Sequence, residues 1–135
     1  MKIKGLHHIG VQTGCYEESK KFYTEILGFK TIKETPNVNG RAYNTWLKLG
    51  EIIIELQAAK LSTDAKEWNS LNEQPTHISF LIENVEDMYK EIKSKGYNSF
   101  KLKNGVEIYN GKNGSFFKVK APEGTEIEMR DSKKI

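Results

Sequence analysis

The sequence predicts an α+β fold of two tandem βαβββ modules, and three observations carry that prediction. A strand-like pattern led by histidine opens each half, at His8-Ile9 and at His77-Ile78. A glycine ends the helical pattern that follows, Gly28 standing 20 residues after His8 and Gly96 standing 19 after His77. Each half then closes on an alternating segment that carries a glutamate, Gly50-Glu51-Ile52-Ile53-Ile54-Glu55-Leu56 and Gly124-Thr125-Glu126-Ile127-Glu128-Met129. From histidine to that glutamate is 47 residues in one copy (His8 to Glu55) and 51 in the other (His77 to Glu128). The same order of elements is read twice, as an internal duplication would leave it.

Within the first copy, residues 3–13 alternate with Ile9 and Val11 on one side and predict a strand. Residues 16–27 put Phe22, Tyr23, Ile26 and Leu27 on one helical stripe, with Gly28 as the stop. Strands are expected at 29–34, 41–49 and 51–59, separated by Pro36-Asn37-Val38-Asn39-Gly40 and by Gly50. In the second copy a strand is expected over 76–83 and a helix capped by Asn84, with Val85, Met88, Tyr89 and Ile92 at helical spacing and Gly96 at its end. Strands near 98–103, 106–110, 115–121 and 125–131 follow, with a turn at Asn110-Gly111-Lys112-Asn113-Gly114. The polar stretch 60–74, containing Leu61, Trp68 and Leu71, joins the copies and is expected to hold a short helix. The organisation predicted is one domain over 1–135: module one about 1–60, a linker over 61–74, and module two about 75–135.

Composition narrows the function. A chain of 135 residues with 37% hydrophobic and 29% charged residues suits one ordinary globular domain. Its apolar runs are no longer than that of Ile52-Ile53-Ile54, far short of a membrane span, and no apolar leader follows Met1-Lys2-Ile3-Lys4. Cys15 is the only cysteine, which excludes an internal disulfide and suits a reducing cytoplasm. Net charge is +3, with lysines scattered among acidic residues. A nucleic-acid binder needs a concentrated basic face, so neither nucleic acid nor membrane is an expected partner.

Strand alternation singles out four side chains. Successive residues of a strand point to opposite faces. Setting Ile9 and Val11 on one face puts His8 on the other; Ile78, Phe80 and Ile82 do the same for His77. Ile52, Ile54 and Leu56 leave Glu55 opposite, and Ile127 and Met129 leave Glu128 opposite. Taken singly, each is more readily a polar residue on the solvent face of a half-buried strand than a ligand. Surface residues have no reason to recur at matching places, and the recurrence favours a ligand set of two imidazoles and two carboxylates. Such a set suits one divalent first-row ion per site, Ni or Zn first, with Co or Mn as further candidates. His7 shares the face of Ile9 and competes with His8 as a packed or partly exposed histidine. Cys15 is read as filler.

With Leu6-His7-His8-Ile9-Gly10-Val11, Phe22-Tyr23, Leu27-Gly28-Phe29, Ile53-Ile54-Glu55-Leu56, Thr76-His77-Ile78-Ser79 and Pro122 to Glu128 in place, the chain resembles the vicinal oxygen chelate superfamily over nearly its whole length. That superfamily holds glyoxalase I, methylmalonyl-CoA epimerase, extradiol dioxygenases, and fosfomycin and bleomycin resistance proteins. The resemblance implies the glyoxalase/bleomycin resistance/dioxygenase fold, with paired modules forming a curled mixed sheet around a metal cavity, usually in a homodimer. It implies His8, Glu55, His77 and Glu128 as metal ligands, the four-ligand set of glyoxalase I (lactoylglutathione lyase) and of many epimerases. Dioxygenases and fosfomycin enzymes use one carboxylate fewer, and bleomycin binders generally lack the ligands. The activity implied is a lyase or isomerase reaction on a small hemithioacetal, a thiol adduct, or a related α-oxygenated substrate through an enediolate. Glu128 is then the proton-transferring base, with Glu55 as its near-symmetric alternative. Gln12 stands where glyoxalase I commonly has an arginine and Ala59 where it has an asparagine, so glutathione is not implied as the thiol. Arg41, Arg130 or a lysine is left to hold an anionic group, or to be a surface charge, and Trp46 to line the pocket or pack the sheet. The alternatives are a methylmalonyl-CoA-type epimerase and a non-catalytic ligand-binding or resistance protein.

Overall fold

The computed structural model describes residues 1–62, 66, 69 and 71–135, so the short helix expected within 60–74 lies in part outside the described residues. The chain divides into two compact units, Met1–Glu67 and Trp68–Ile135. Each has the predicted βαβββ order and its own open four-stranded mixed sheet.

In the first unit β1 (Ile9–Thr13) leads into a helix, α1 (Tyr16–Lys21), that continues as a π-helical turn over Phe22–Ile26. The wider turn, closed by Leu27 N–H donating to the Phe22 carbonyl at 3.1 Å, buries Phe22, Tyr23 and Ile26 together. Gly28, at φ +88°, ends it as predicted. Then come β2 (Lys30–Val38), β3 (Arg41–Leu49) and β4 (Ile52–Ala58), in the sheet order β1-β4-β3-β2, with β1 parallel to β4. Val11, Leu47, Ile54 and Leu56 face the helix side and are buried, each contributing about 1.5–3 kcal/mol.

Two boundaries differ from expectation. Residues 3–8 are not part of β1. In the parallel register Ile9 stands opposite Ile54, so β4, starting at Ile52, has nothing to offer residues 3–6. The 36–40 stretch is no separator: β2 runs on to Val38, and Asn39-Gly40 alone turns the chain, both with positive φ as a two-residue hairpin requires.

In the second unit β5 (His77–Leu81) is followed by α2 (Val85–Ser94), β6 (Ile108–Gly111), β7 (Gly114–Lys120) and β8 (Glu126–Arg130), in the order β5-β8-β7-β6. Asn84 caps α2 by accepting from Asp87 N–H at 2.9 Å. Val85 and Ile92 bury its apolar stripe against a core of Phe117, Val119, Ile127 and Met129. The strand predicted near 98–103 does not form. Only Phe100 bridges to β7, opposite Val119, and Asn104-Gly105 (φ +53° and +78°) then folds Lys103 back onto Val106. A positive-φ pair is a hairpin turn, and it ends any extended run.

A tyrosine, a glutamate and a lysine tie each helix down. Tyr16 and Lys20 of α1 reach Glu34 of β2, with Lys20 Nζ at 2.9 Å and Tyr16 Oη also 2.5 Å from Thr45 Oγ1. Tyr89 and Lys93 of α2 reach Glu107, with Lys93 Nζ at 3.1 Å. The Tyr16 and Tyr89 hydroxyls, followed by the lysines, hold both carboxyls below the ordinary glutamate value. Burial, followed by the Glu34 carboxylate, pushes the Tyr16 phenol up.

Candidate functional site

The face of each sheet turned away from its helix carries the residues that alternation singled out. In the first unit Glu55 stands between Gly10 of β1 and Trp46 of β3. Gln57 Nε2 donates to Glu55 Oε1 at 2.6 Å, and Glu55 Oε2 lies 3.1 Å from His8 Nε2. Trp46 sets its ring edge-on to His8 at 4.9 Å, so it lines this face as well as packing the sheet. A Cβ at Gly10 would meet nothing within 4 Å, which leaves the face beside Glu55 open.

The second unit repeats the arrangement. Glu128 stands between Ser79 of β5 and Lys118 of β7. Ser79 Oγ donates to Glu128 Oε1 at 2.8 Å, and Arg130 Nη1 is 3.7 Å from the same oxygen. Glu128 Oε2 lies 3.9 Å from His77 Nε2, and Thr76 Oγ1 is within hydrogen-bond distance of His77 Nδ1 at 2.9 Å. In both units, therefore, one carboxylate oxygen is held by a neutral donor while the other faces the imidazole Nε2.

The structure brings the four predicted ligands together as two pairs, His8 with Glu55 and His77 with Glu128. Among the described residues no group of three or more His, Cys, Asp or Glu side chains is gathered as a metal cluster. The donors of each pair nonetheless suit a cation. Two ligands about 2.1 Å from one ion and at right angles are about 3.0 Å apart. The first pair has that separation, and the second needs a small side-chain rotation. Burial also separates Glu128 from an ordinary surface residue, since it is only 6% exposed.

The other candidates fall into place around these pairs. His7 is exposed, with Nδ1 2.8 Å from His8 Nδ1. Cys15 stands at the start of α1 beside Thr13 and Ser19. Arg41 is committed to the first sheet, donating to Gln12 Oε1 and to the Ala58 carbonyl at 2.7 and 2.6 Å. Arg130 lies beside Glu128 and over the Phe116 ring. Sequence reasoning did not assign Gln57 and Ser79 as carboxylate holders. Their signal was a spacing of two from Glu55 and His77, which puts them on the same face.

Residues 5–129 match the family model of the Glyoxalase/Bleomycin resistance protein/Dioxygenase superfamily. The uncharacterized protein YwkD of Bacillus subtilis (strain 168) is 30% identical over 120 residues, which span 87% of this chain and 90% of that protein. Glyoxylase I 4 of Arabidopsis thaliana is 27% identical over 96 residues, 71% of this chain but 54% of the plant protein. A mutant of the fosfomycin resistance protein FosX of Listeria monocytogenes, solved with Mn(II) and 1S,2S-dihydroxypropylphosphonic acid, shares the fold with a TM-score of 0.72 at 17% identity. That match covers 97% of this chain and 92% of FosX. No helix among the described residues is long and apolar enough to cross a membrane.

Proposed function

Because the chain belongs to the Glyoxalase/Bleomycin resistance protein/Dioxygenase superfamily, we propose that it is a divalent-metal-dependent lyase or isomerase of the glyoxalase I type. The observation that carries the reading is the repeated pair, imidazole Nε2 facing carboxylate Oε2 on the same face of each sheet. On this reading residues 1–135 act as one domain, and His8, Glu55, His77 and Glu128 hold one ion, Ni or Zn before Co or Mn. FosX, solved with Mn(II), supports metal binding on this fold. When bound, the ion supplies Lewis-acid stabilisation of negative charge that develops on the substrate's oxygens.

The chain's own residues supply the proton transfer. Ser79 orients the Glu128 carboxylate, which takes the proton from the carbon beside the substrate's carbonyl and returns it to the neighbouring carbon. Glu55, fixed by Gln57, is the near-symmetric alternative. Trp46 shields one side of His8 from water. The substrate is a hemithioacetal or a related α-oxygenated molecule. A cytoplasmic homodimer goes with this reading.

Elemental analysis of untagged protein, native and His77→Ala, tests it. About one Ni, Zn, Co or Mn per chain, lost in the variant, supports the four-ligand site. Turnover of methylglyoxal with a thiol then identifies the lyase, and racemisation of an acyl-thioester in its place identifies an epimerase. Predominant iron points to an oxygenase. A protein that takes up no metal even after loading is a ligand-binding member of the fold and not this enzyme.

A further inference from the structure

The two units differ most at the outer edge of the sheet. In the first, β2 pairs with β3 along nearly its whole length. In the second, that edge is interrupted. Residues 99–101 pair with the end of β7, where Lys101 N–H donates to the Lys118 carbonyl and Lys120 N–H to the Ser99 carbonyl, both at 2.8 Å. The chain then leaves the sheet for the Asn104-Gly105 turn and returns as β6, where Ile108 pairs with Phe117. Beside this detour lies a cavity of about 430 Å³ lined by Lys101, Lys103, Tyr109, Phe116, Lys118 and Glu128.

The charges around it do not cancel. Lys101 is paired with the buried Glu126 carboxylate at 2.6 Å. Glu107, which also lines the cavity, is neutralised by Lys93 at 3.1 Å and bound by the Tyr89 hydroxyl. Glu128 is bound by Ser79 and flanked by Arg130. The two remaining lysines have no carboxylate within 4 Å among the described residues, the ion pairs of the second unit being those of Glu91, Glu107, Glu126 and Glu128 with other groups. Lys103 Nζ rests 4.0 Å from the Tyr109 ring centre and 5.3 Å from that of Phe116. Lys118 is half-buried, directly across from Glu128 on the neighbouring strand. Two ammonium groups at a walled cavity, one of them resting on aromatic faces, are positioned for an oxyanion.

We propose that this cavity binds an anionic group of the substrate, a carboxylate or a phosphate-type oxyanion, with Lys103 and Lys118 as its counter-ions and Glu128 at the reacting end. The inference builds on the proton-transfer reading by naming the substrate class, an anionic α-oxygenated compound and not a neutral one. The oxyanion site itself stands on the lysines and is testable without turnover.

The full-length protein is titrated with inorganic phosphate and with glycolate, with neutral glycolamide as the control, by calorimetry before and after treatment with a chelator. Lys103→Gln and Lys118→Gln should each weaken binding of phosphate and glycolate about tenfold, the scale of one hydrogen bond to a charged group. Glycolamide binding and the far-ultraviolet circular dichroism should not change. Lys103→Arg should retain most of the affinity, and Lys112→Gln, in the exposed 111–114 turn, should retain all of it. Phosphate binding that both lysine variants leave intact overturns the proposal, and so does binding that the chelator abolishes, since the oxyanion would then sit on a metal. Lysine-dependent binding in a protein found to take up no metal would instead sink the enzyme reading and leave the oxyanion site standing.

Discussion

Replacing Ser79 by alanine removes one hydroxyl, and the geometry sets the size of the effect. Ser79 Oγ donates to Glu128 Oε1 at 2.8 Å, and Glu128 is 6% exposed, so water has little access to replace the lost donor. Arg130 Nη1, at 3.7 Å from the same oxygen, is beyond hydrogen-bond reach. A hydrogen bond to a charged group contributes about 1.5–3 kcal/mol, and Ser79→Ala should lower the free energy of urea unfolding by about that amount. If Glu128 is a ligand, the same loss should appear in metal affinity as a weakening of about 10–100-fold, the usual effect of removing a group that orients a ligand. Gln57→Ala is the internal control. Its bond to Glu55 is shorter, 2.6 Å, but the Glu55 side chain is 16% exposed against 8% for Glu128. Water compensates more readily there, and a loss of about 0.5–1.5 kcal/mol is expected. Affinity is read by competition with a chromophoric chelator, stability by urea titration of the same preparations. A Ser79→Ala protein that is destabilised but keeps its full metal affinity would show that the serine-held carboxylate is not a ligand.

Glu128→Gln should keep the fold and lose turnover by about 10²–10⁴-fold, the contribution of a positioned proton-transfer group, while Glu55→Gln loses less. Full activity in Glu128→Gln would remove Glu128 as the base. Ile127, fully buried between Ile78 and Val119, should lower stability by about 2–5 kcal/mol when cut to alanine, because three carbons are lost and a cavity remains. A midpoint shift corresponding to less than 1 kcal/mol would refute that packing. Glu34 and Glu107 are held below their ordinary value of 4.5. Their contribution to stability is therefore complete above that pH and is lost as the pH falls through the lowered values. Urea midpoints of the wild type should drop below about pH 4.5 more steeply than those of Glu34→Gln or Glu107→Gln, and equal slopes would refute the coupling.

Much of this was legible in the sequence, for definite physical reasons. Alternation placed Glu55 and Glu128 away from Ile54, Leu56, Ile127 and Met129 because those strands are regular over their whole length. Asn84 and Gly28 announced the helix ends because capping and positive φ are local demands. The tie of Ser79 to Glu128 was not legible, because it depends on the parallel register of β5 with β8, set across 49 residues of chain. Nor was the buried pairing of Glu126 with Lys101, which needs residues 99–101 laid against β7. The failed strand at 98–103 did carry a warning in the Asn104-Gly105 dipeptide. Helpful local β pattern on either side of it does not outweigh a pair of residues that adopt positive φ readily.

The differences between the two copies say more about specificity than their likeness does. At matching places around the glutamate, the first copy has Gly10, Trp46 and Gln57 where the second has Ser79, Lys118 and Arg130. A duplication kept for metal binding alone constrains only the histidines and glutamates and leaves their neighbours free to drift in any direction. These neighbours have separated by kind: an uncharged frame with an aromatic ring around Glu55, and a cationic frame around Glu128. Within the second unit such a frame would hold the oxyanion of a substrate toward Lys103 and Lys118, beside Glu128. On the proposed reading, that placement would favour Glu128 over Glu55 for the proton transfer. Exchanging the frames, with Trp46→Lys and Lys118→Trp together, should then move the larger loss of activity from Glu128→Gln to Glu55→Gln. If Glu128→Gln stays the more damaging substitution in that background, the neighbours do not set the roles of the two glutamates.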